Sequence, residues 1–196
     1  PLQAYAEASK GRGYGVAAYV APDRDLLPGV QVQTDLGAWE VVETPGHAPS
    51  HVCLFQPERR LLLSGDHLLG RVSLYYDYGW SEDPAGEFLT SLDRVEALDA
   101  RLCLAGHGRT FSDVQSHIDA NRALVNQRLA RVEEVVTGSA MTAFAAVPKV
   151  YGEAITPMNA NWWISETLCY LRHLEVTGRV ARIPGEDGGP ERWTAA

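Results

Sequence analysis

Apolar positions in this chain follow two rhythms. Residues 30–32 and 39–43 form short runs that read as strands, split by the turn-like Thr34-Asp35-Leu36-Gly37. Residues 52–55 and 61–63 are apolar runs joined by Gln56-Pro57-Glu58-Arg59-Arg60, which predicts a hairpin buried on at least one face. From residue 84 the period lengthens. Asp83 is placed to cap a helix over about residues 84–99, with Pro84 at its first position and Phe88, Leu92 and Val95 as its inward stripe. The segment RLCLAGHG, 101–108, reads as a strand running straight into glycines. The longest helix follows, opened by a capping box of Ser112 and Gln115, with Val114, Ile118, Val125, Leu129, Val132 and Val136 at helical spacings. Upstream of all these, residues 2–9 read as the end of a helix closed by Gly11 and Gly13. Strand pairs, helix, strand, helix is the order of a mixed α/β layered fold.

After Gly138 the texture changes. Residues 142–151 and 161–177 read as helices, the second ended by Gly178, and RVARI and ERWTA form a hairpin across PGEDGGP. Helices followed by a two-stranded ribbon suggest a small winged-helix-like unit. Trp162 and Trp163 cannot both point inward on one helix, so one of them docks this unit on the main domain.

Composition narrows the function. With 45% hydrophobic and 21% charged residues among 196, the chain is an ordinary globular protein. A net charge of -8 leaves no basic stripe for phosphates, which argues against DNA and disfavours RNA as a partner. No apolar run approaches the length of a membrane span and no secretory leader is evident, so the reading is no membrane partner and a cytoplasmic protein. Cys53, Cys103 and Cys169 are odd in number and sit in apolar contexts, as buried thiols of a reducing compartment do. Nothing in the sequence indicates an oligomeric state.

The chemistry concentrates at the ends of the apolar runs. His47 in TPGH, Asp66 in SGDH and His107 in AGHG each have a glycine neighbour. Pro45, Gly46 and Pro49 exclude a regular helix around His47 and His51, so these imidazoles sit on a rigid turn. Strand ends that run into glycine turns let side chains converge at one rim. Two imidazoles and a carboxylate are ligand types that zinc, manganese and iron accept.

With their neighbours, TPGHAPSHVCLF, LLLSGDHLL and LAGHGRTF resemble the metallo-β-lactamase superfamily of metal-dependent hydrolases, in its glyoxalase II-like and lactamase-like branches, over residues 35–136. The stretch NANWWISETLCYLRHLEVTGRV is similar to the winged-helix extension of some members. The resemblance implies an α/β fold with mixed-sheet αββα layers over residues 1–137, incomplete at the N-terminus, and a winged-helix-like unit over 138–196. It implies His47 as a ligand of a first metal, Asp66 as the catalytic, bridging carboxylate and His107 as a ligand of a second metal, with two zinc ions in a complete site and manganese or iron as alternatives. A carboxylate has two oxygens and can span two cations, which a neutral imidazole cannot. Two divalent ions lower the pKa of a shared water and supply a hydroxide for attack on an ester, thioester or lactam-like carbonyl of a small-molecule substrate.

His51 matches a position that does not ligate metal in the family, and is read as bracing the turn. His67 is placed to bond a backbone carbonyl or touch substrate. The aromatic run VSLYYDYGW makes Tyr76 and Tyr78 either pocket wall or buried packing, and Arg109 either an anion-binding group or a surface ion-pair partner. His117 and His173 read as helix packing, and Cys53 as buried and inert.

One departure is large: the family's H-x-H-x-D-H signature occurs nowhere in the chain. The expectation is an N-terminally truncated piece, inert as it stands for want of ligands and active once the upstream segment is present. Apolar faces that upstream strands would cover should also be exposed. A non-catalytic scaffold with a decayed site is the alternative, and a metal-dependent ribonuclease a further one. A testable expectation concerns the second helix of the C-terminal unit. Residues 161–177 offer Trp162, Trp163, Glu166, Tyr170, Arg172 and Glu175, too few cations to reach phosphates and base edges. Titration with duplex DNA at moderate salt should therefore show no micromolar binding, and salt-dependent binding would mean this unit is misread.

Overall fold

The structure, a computed structural model, describes residues 23–72, 74–76 and 78–196, and the helix end expected at residues 2–9 lies outside them. The elements in chain order are β1 (Gln31–Thr34), β2 (Gly37–Glu43), β3 (Val52–Gln56), β4 (Leu61–Gly65), α1 (Pro84–Glu96), β5 (Leu102–Ala105), α2 (Val114–Gly138), α3 (Ala143–Tyr151), α4 (Ala160–Val176), β6 (Val180–Ile183) and β7 (Arg192–Ala195). A five-stranded mixed sheet runs β1-β2-β3-β4-β5, antiparallel except for the β4–β5 pair, and β6 and β7 form a separate ribbon. A parallel pair needs a crossover, and α1 supplies it between β4 and β5.

Period-two alternation splits the sheet into two faces. Cys53, Leu62 and Cys103 are fully buried and join the apolar stripes of α1 (Phe88, Leu92, Val95) and α2 (Val114, Ile118, Val125, Leu129, Val132, Val136) in one core. On the opposite face Leu54, Leu63 and Leu104 stand in register across β3, β4 and β5, and Leu63 is exposed. The core continues past residue 138 through Ala146, Cys169, Tyr170, Leu174 and Trp193. The ribbon is tied to the start of α3 by paired backbone bonds between Met141 and Trp193 (3.1 and 2.9 Å). Among the described residues, no helix is long and apolar enough to cross a membrane.

Two local expectations need correction. Ser112 and Gln115 do not form a capping box: α2 begins after Asp113, which makes no side-chain cap bond. Gln115 instead donates to Glu96 (2.5 Å) on α1 and to Asp119 (3.1 Å), because the α1–α2 packing brings carboxylates within its reach. Thr34 belongs to β1 rather than to the turn, where its hydroxyl accepts from the Leu36 amide (3.1 Å) and the Trp39 indole (3.0 Å).

Asp83 caps α1 as expected, accepting from the Gly86 amide (2.9 Å), with Pro84 at the first position. It also takes an ion pair from His173 of α4 at 2.9 Å, so one carboxylate holds two helices. Burial raises the Asp83 pKa, but the bonds from His173 and Gly86 outweigh it and hold the carboxyl below its usual value. A lowered carboxylate pKa contributes stability above the unfolded pKa, and that contribution is lost as pH falls through the folded one. Asp83→Ala should therefore destabilise the protein by about 1 kcal/mol or more at pH 7, the cost of a lost cap. In urea titrations the wild-type advantage should shrink below about pH 4, where carboxyls protonate.

Candidate active site

Three chain segments meet at one rim of the sheet because of its topology. β4 and β5 are parallel, so Asp66 and His107, just past their ends, emerge on the same side. β3 runs antiparallel to β4, which brings the β2–β3 turn carrying His47 to that same end. This turn is closed by the Thr44 amide to the His51 carbonyl (2.9 Å) and the His51 amide to Ala48 (3.1 Å). Helix α1 clamps it from outside, with the Ser91 hydroxyl donating to the Pro45 carbonyl (2.8 Å) and Arg94 to that of Glu43 (3.0 Å).

Asp66 lies between the other two. Its Oδ2 is 3.6 Å from His47 Nε2 and its Oδ1 is 3.5 Å from His107 Nε2. These separations are long for hydrogen bonds. They suit ligands that share a cation, since two donors about 2.1 Å from a tetrahedral zinc are about 3.4 Å apart. Each imidazole faces a different carboxylate oxygen, so the donors fit two adjacent cation positions rather than one. Among the described residues, no three metal-binding side chains converge on a single cation.

Hydrogen bonding sets the tautomers. His47 Nδ1 donates to the Tyr75 carbonyl (3.2 Å), which leaves the Nε2 lone pair facing Asp66. His51 Nε2 accepts from the Asp66 amide (3.1 Å), so its Nδ1 carries the proton and donates to Thr44 Oγ1 (2.7 Å). Burial, and then neighbouring His47, lower the His51 pKa against the opposing pull of Asp66, which keeps this acceptor ring neutral. The glycine neighbours have a steric reason. A Cβ on Gly65 would lie 2.7 Å from His51 Nε2, and one on Gly106 would lie 2.8 Å from Asp66 Oδ1.

The remaining candidates are placed differently. His67 is fully buried with its ring 4.9 Å from Phe88, and burial, followed by His51, takes its pKa down to about 3, only partly offset by the Ser91 backbone. It is therefore a neutral packing residue behind the rim. Tyr76 is buried against Phe88 (5.6 Å) and Tyr170 (5.7 Å), and neither it nor Tyr78 nor Arg109 lines the pocket at Asp66. Tyr75 does. Leu74 and Tyr76 turn inward, and the residue between them faces the other way, a period-two alternation the sequence reading passed over. His117 stacks on Phe111 (3.8 Å). Burial pushes the Cys53 thiol up to about 12 and that of Cys103 up to about 11, so neither is a nucleophile at neutral pH.

The pocket encloses about 260 Å³ between His47, Asp66, Leu69, Tyr75, His107 and Trp162. Trp162 comes from the first turn of α4 and meets Tyr75 edge to face at 5.0 Å. Trp163 turns away and stacks on Tyr151 at 4.8 Å, so the two indoles divide as one helix requires. A larger cleft of about 580 Å³ lies behind the His47 turn, lined by Pro45, Asp83, Glu87, Arg94 and His173 among others. Its Asp83 and His173 are committed to each other and to the α1 cap, whereas His47, Asp66 and His107 meet in the smaller pocket.

Comparison with known proteins identifies the family. The profile of the metallo-beta-lactamase superfamily matches residues 3–107. A probable metallo-hydrolase, YqjP, of Bacillus subtilis is 30% identical over 146 residues, covering 71% of this chain and 46% of the relative. A hydroxyacylglutathione hydrolase of Rhizobium meliloti is 34% identical over 109 residues, covering 53% of this chain and 40% of the relative. The chain thus spans less than half the length of these curated relatives. Among solved structures, a beta-lactamase domain protein from Burkholderia ambifaria superposes with a TM-score of 0.85 at 29% identity, over 100% of this chain and 60% of the other. A metallo-beta-lactamase family protein from Thermus thermophilus gives 0.75 at 29% identity, over 87% of this chain and 54% of the other. With the fold shared and the family profile matching more than half of its residues, the chain belongs to the metallo-beta-lactamase superfamily.

Proposed function

We propose that this chain carries part of the active site of a metal-dependent hydrolase acting on an ester, thioester or lactam-like carbonyl. The observation that carries the reading is Asp66, whose two oxygens each face a different imidazole at the separations of shared ligands. His47 would hold one cation, His107 a second, and Asp66 would bridge them. The donor set of imidazoles and carboxylate suits zinc, and manganese or iron fit it as well. Bound there, such cations supply Lewis acidity and activate water at neutral pH.

The chain's own residues do the positioning. His51 holds the Asp66 main chain, the Tyr75 carbonyl holds the His47 ring, and Tyr75 and Trp162 line the pocket beside them. The division at residues 137/138 into a hydrolase domain and a winged-helix-like unit is part of the same proposal, supported by the order α3, α4, β6, β7. A cytoplasmic setting is supported by the buried thiols Cys53 and Cys103. A non-catalytic scaffold is the competing reading, favoured by one observation: three donors divided between two positions fall short of two closed shells.

The test is elemental analysis and turnover of a panel of esters, thioesters and lactams by the full-length protein. Bound divalent metal and hydrolysis of at least one class are expected, both lost in Asp66→Ala. His51→Ala should cost about 10- to 100-fold in metal affinity or activity, as loss of an outer hydrogen-bond partner does. A full-length protein that binds no metal and turns over no member of the panel would hand the protein to the scaffold reading.

A further inference from the structure

The walls of the pocket differ sharply from its floor. The floor is His47, Asp66 and His107, while the walls are Leu69, Tyr75 and Trp162. No lysine or arginine is among these lining residues, and Arg109, the nearest cation in sequence to His107, stays outside. An anionic substituent held against this wall would meet Leu69 and the aromatic faces of Tyr75 and Trp162, with no lysine or arginine there to offset its lost hydration. Size narrows the choice further. An apolar cavity of about 150 Å³ is enough to bind benzene, so about 260 Å³ admits one substituted ring or a short unsaturated chain.

The aromatic groups are also ordered in space. The Tyr75 ring lies 5.4 Å from the His47 ring on one side and 5.0 Å from the Trp162 ring on the other. A ladder of rings therefore leads from a proposed metal ligand out to the pocket wall. Trp162 keeps 43% of its surface exposed, which a bound group could cover. Its position is held through the rest of α4: Trp163 stacks on Tyr151 of α3, and His173 pairs with Asp83 at the α1 cap at 2.9 Å. A rigid aromatic surface loses little entropy on binding, and edge-to-face or stacked contacts add to the apolar area it buries.

We infer that Tyr75 and Trp162 are specificity-determining residues that select substrates with a flat, uncharged group beside the scissile carbonyl. This rests on the hydrolase reading, but the wall itself makes a claim that holds without turnover. Because the Tyr75 carbonyl also accepts from His47, the residue that selects the substrate is the residue that orients a ligand.

The experiment has two arms on the full-length protein. In the first, kcat/KM is measured for benzoyl, acetyl and succinyl thioesters of one thiol. The benzoyl ester should exceed the other two by at least about tenfold, the scale of a matched apolar pocket. Trp162→Ala should lower the benzoyl-to-acetyl ratio of kcat/KM about tenfold, whereas Trp162→Phe restores most of that ratio and Trp163→Phe leaves it unchanged. Equal rates for benzoyl and succinyl esters, or a Trp162→Ala variant that lowers all three alike, would overturn the inference. In the second arm, neutral benzamide is titrated into metal-free protein while the Trp162 indole N–H is followed by NMR. A saturable shift that Tyr75→Leu weakens supports the wall, and absence of any shift overturns it. A benzamide shift with no turnover of any ester would sink the hydrolase reading and leave the aromatic site standing.

Discussion

The hydrogen bond from the Asp66 amide to His51 Nε2 is the contact on which the rest of the site depends. It joins the turn after β2 to the turn after β4, two segments fifteen residues apart, through one imidazole whose other nitrogen is anchored on Thr44. With the Gly106 amide on the Gly65 carbonyl (2.8 Å), it holds the Asp66 turn between the segments that carry His47 and His107. The geometry demands a neutral ring, since only the deprotonated Nε2 can accept. Burial in this corner lowers the His51 pKa and so meets that demand.

A second set of polar contacts fixes where α4 lies, and through it the pocket wall. Asp83 accepts from His173 while capping α1, which sets α4 against the segment that follows Tyr75 and Tyr76. Tyr76 then packs on Tyr170 and Phe88, linking α4 to the loop and to α1 through aromatic edges. Glu166 is buried beside Tyr170, and burial raises its pKa against the pull of that hydroxyl. Buried polar groups of this kind cost more than apolar ones unless they are bonded; the Glu166–Tyr170 bond lies within α4, and the contacts to Asp83 and Tyr76 seat the helix. Trp162 reaches the pocket in that seating.

The two cavities show why volume alone does not locate chemistry. The cleft behind the His47 turn is more than twice as large, yet its Asp83 and His173 already pair with each other. The smaller pocket holds His47, Asp66 and His107, and beside it Gly65 and Gly106 make room for the side chains of His51 and Asp66.

What was legible from the chain alone follows from local physics. Short apolar runs announced β2, β3 and β4, the Asp83-Pro84 cap announced α1, and the stripe from Val114 to Val136 announced α2, because backbone geometry and solvent exclusion act at the spacing of neighbours. The glycine-flanked His47, Asp66 and His107 stood out for the same reason: close backbone approach leaves a mark at the adjacent residue. The capping box at Ser112 failed because Gln115 found carboxylates on another helix, a partner no local rule contains. Tyr75 and Trp162 were invisible as a pair, being 87 residues apart and joined only when His173 reaches Asp83 and Tyr170 reaches Tyr76. The sequence by itself determined which elements form and which side chains stand at their ends. Only the tertiary structure decided which of the aromatic residues faces the site, because that depends on the docking of α4, a long-range choice made by packing and buried polar pairs rather than by any neighbour along the chain.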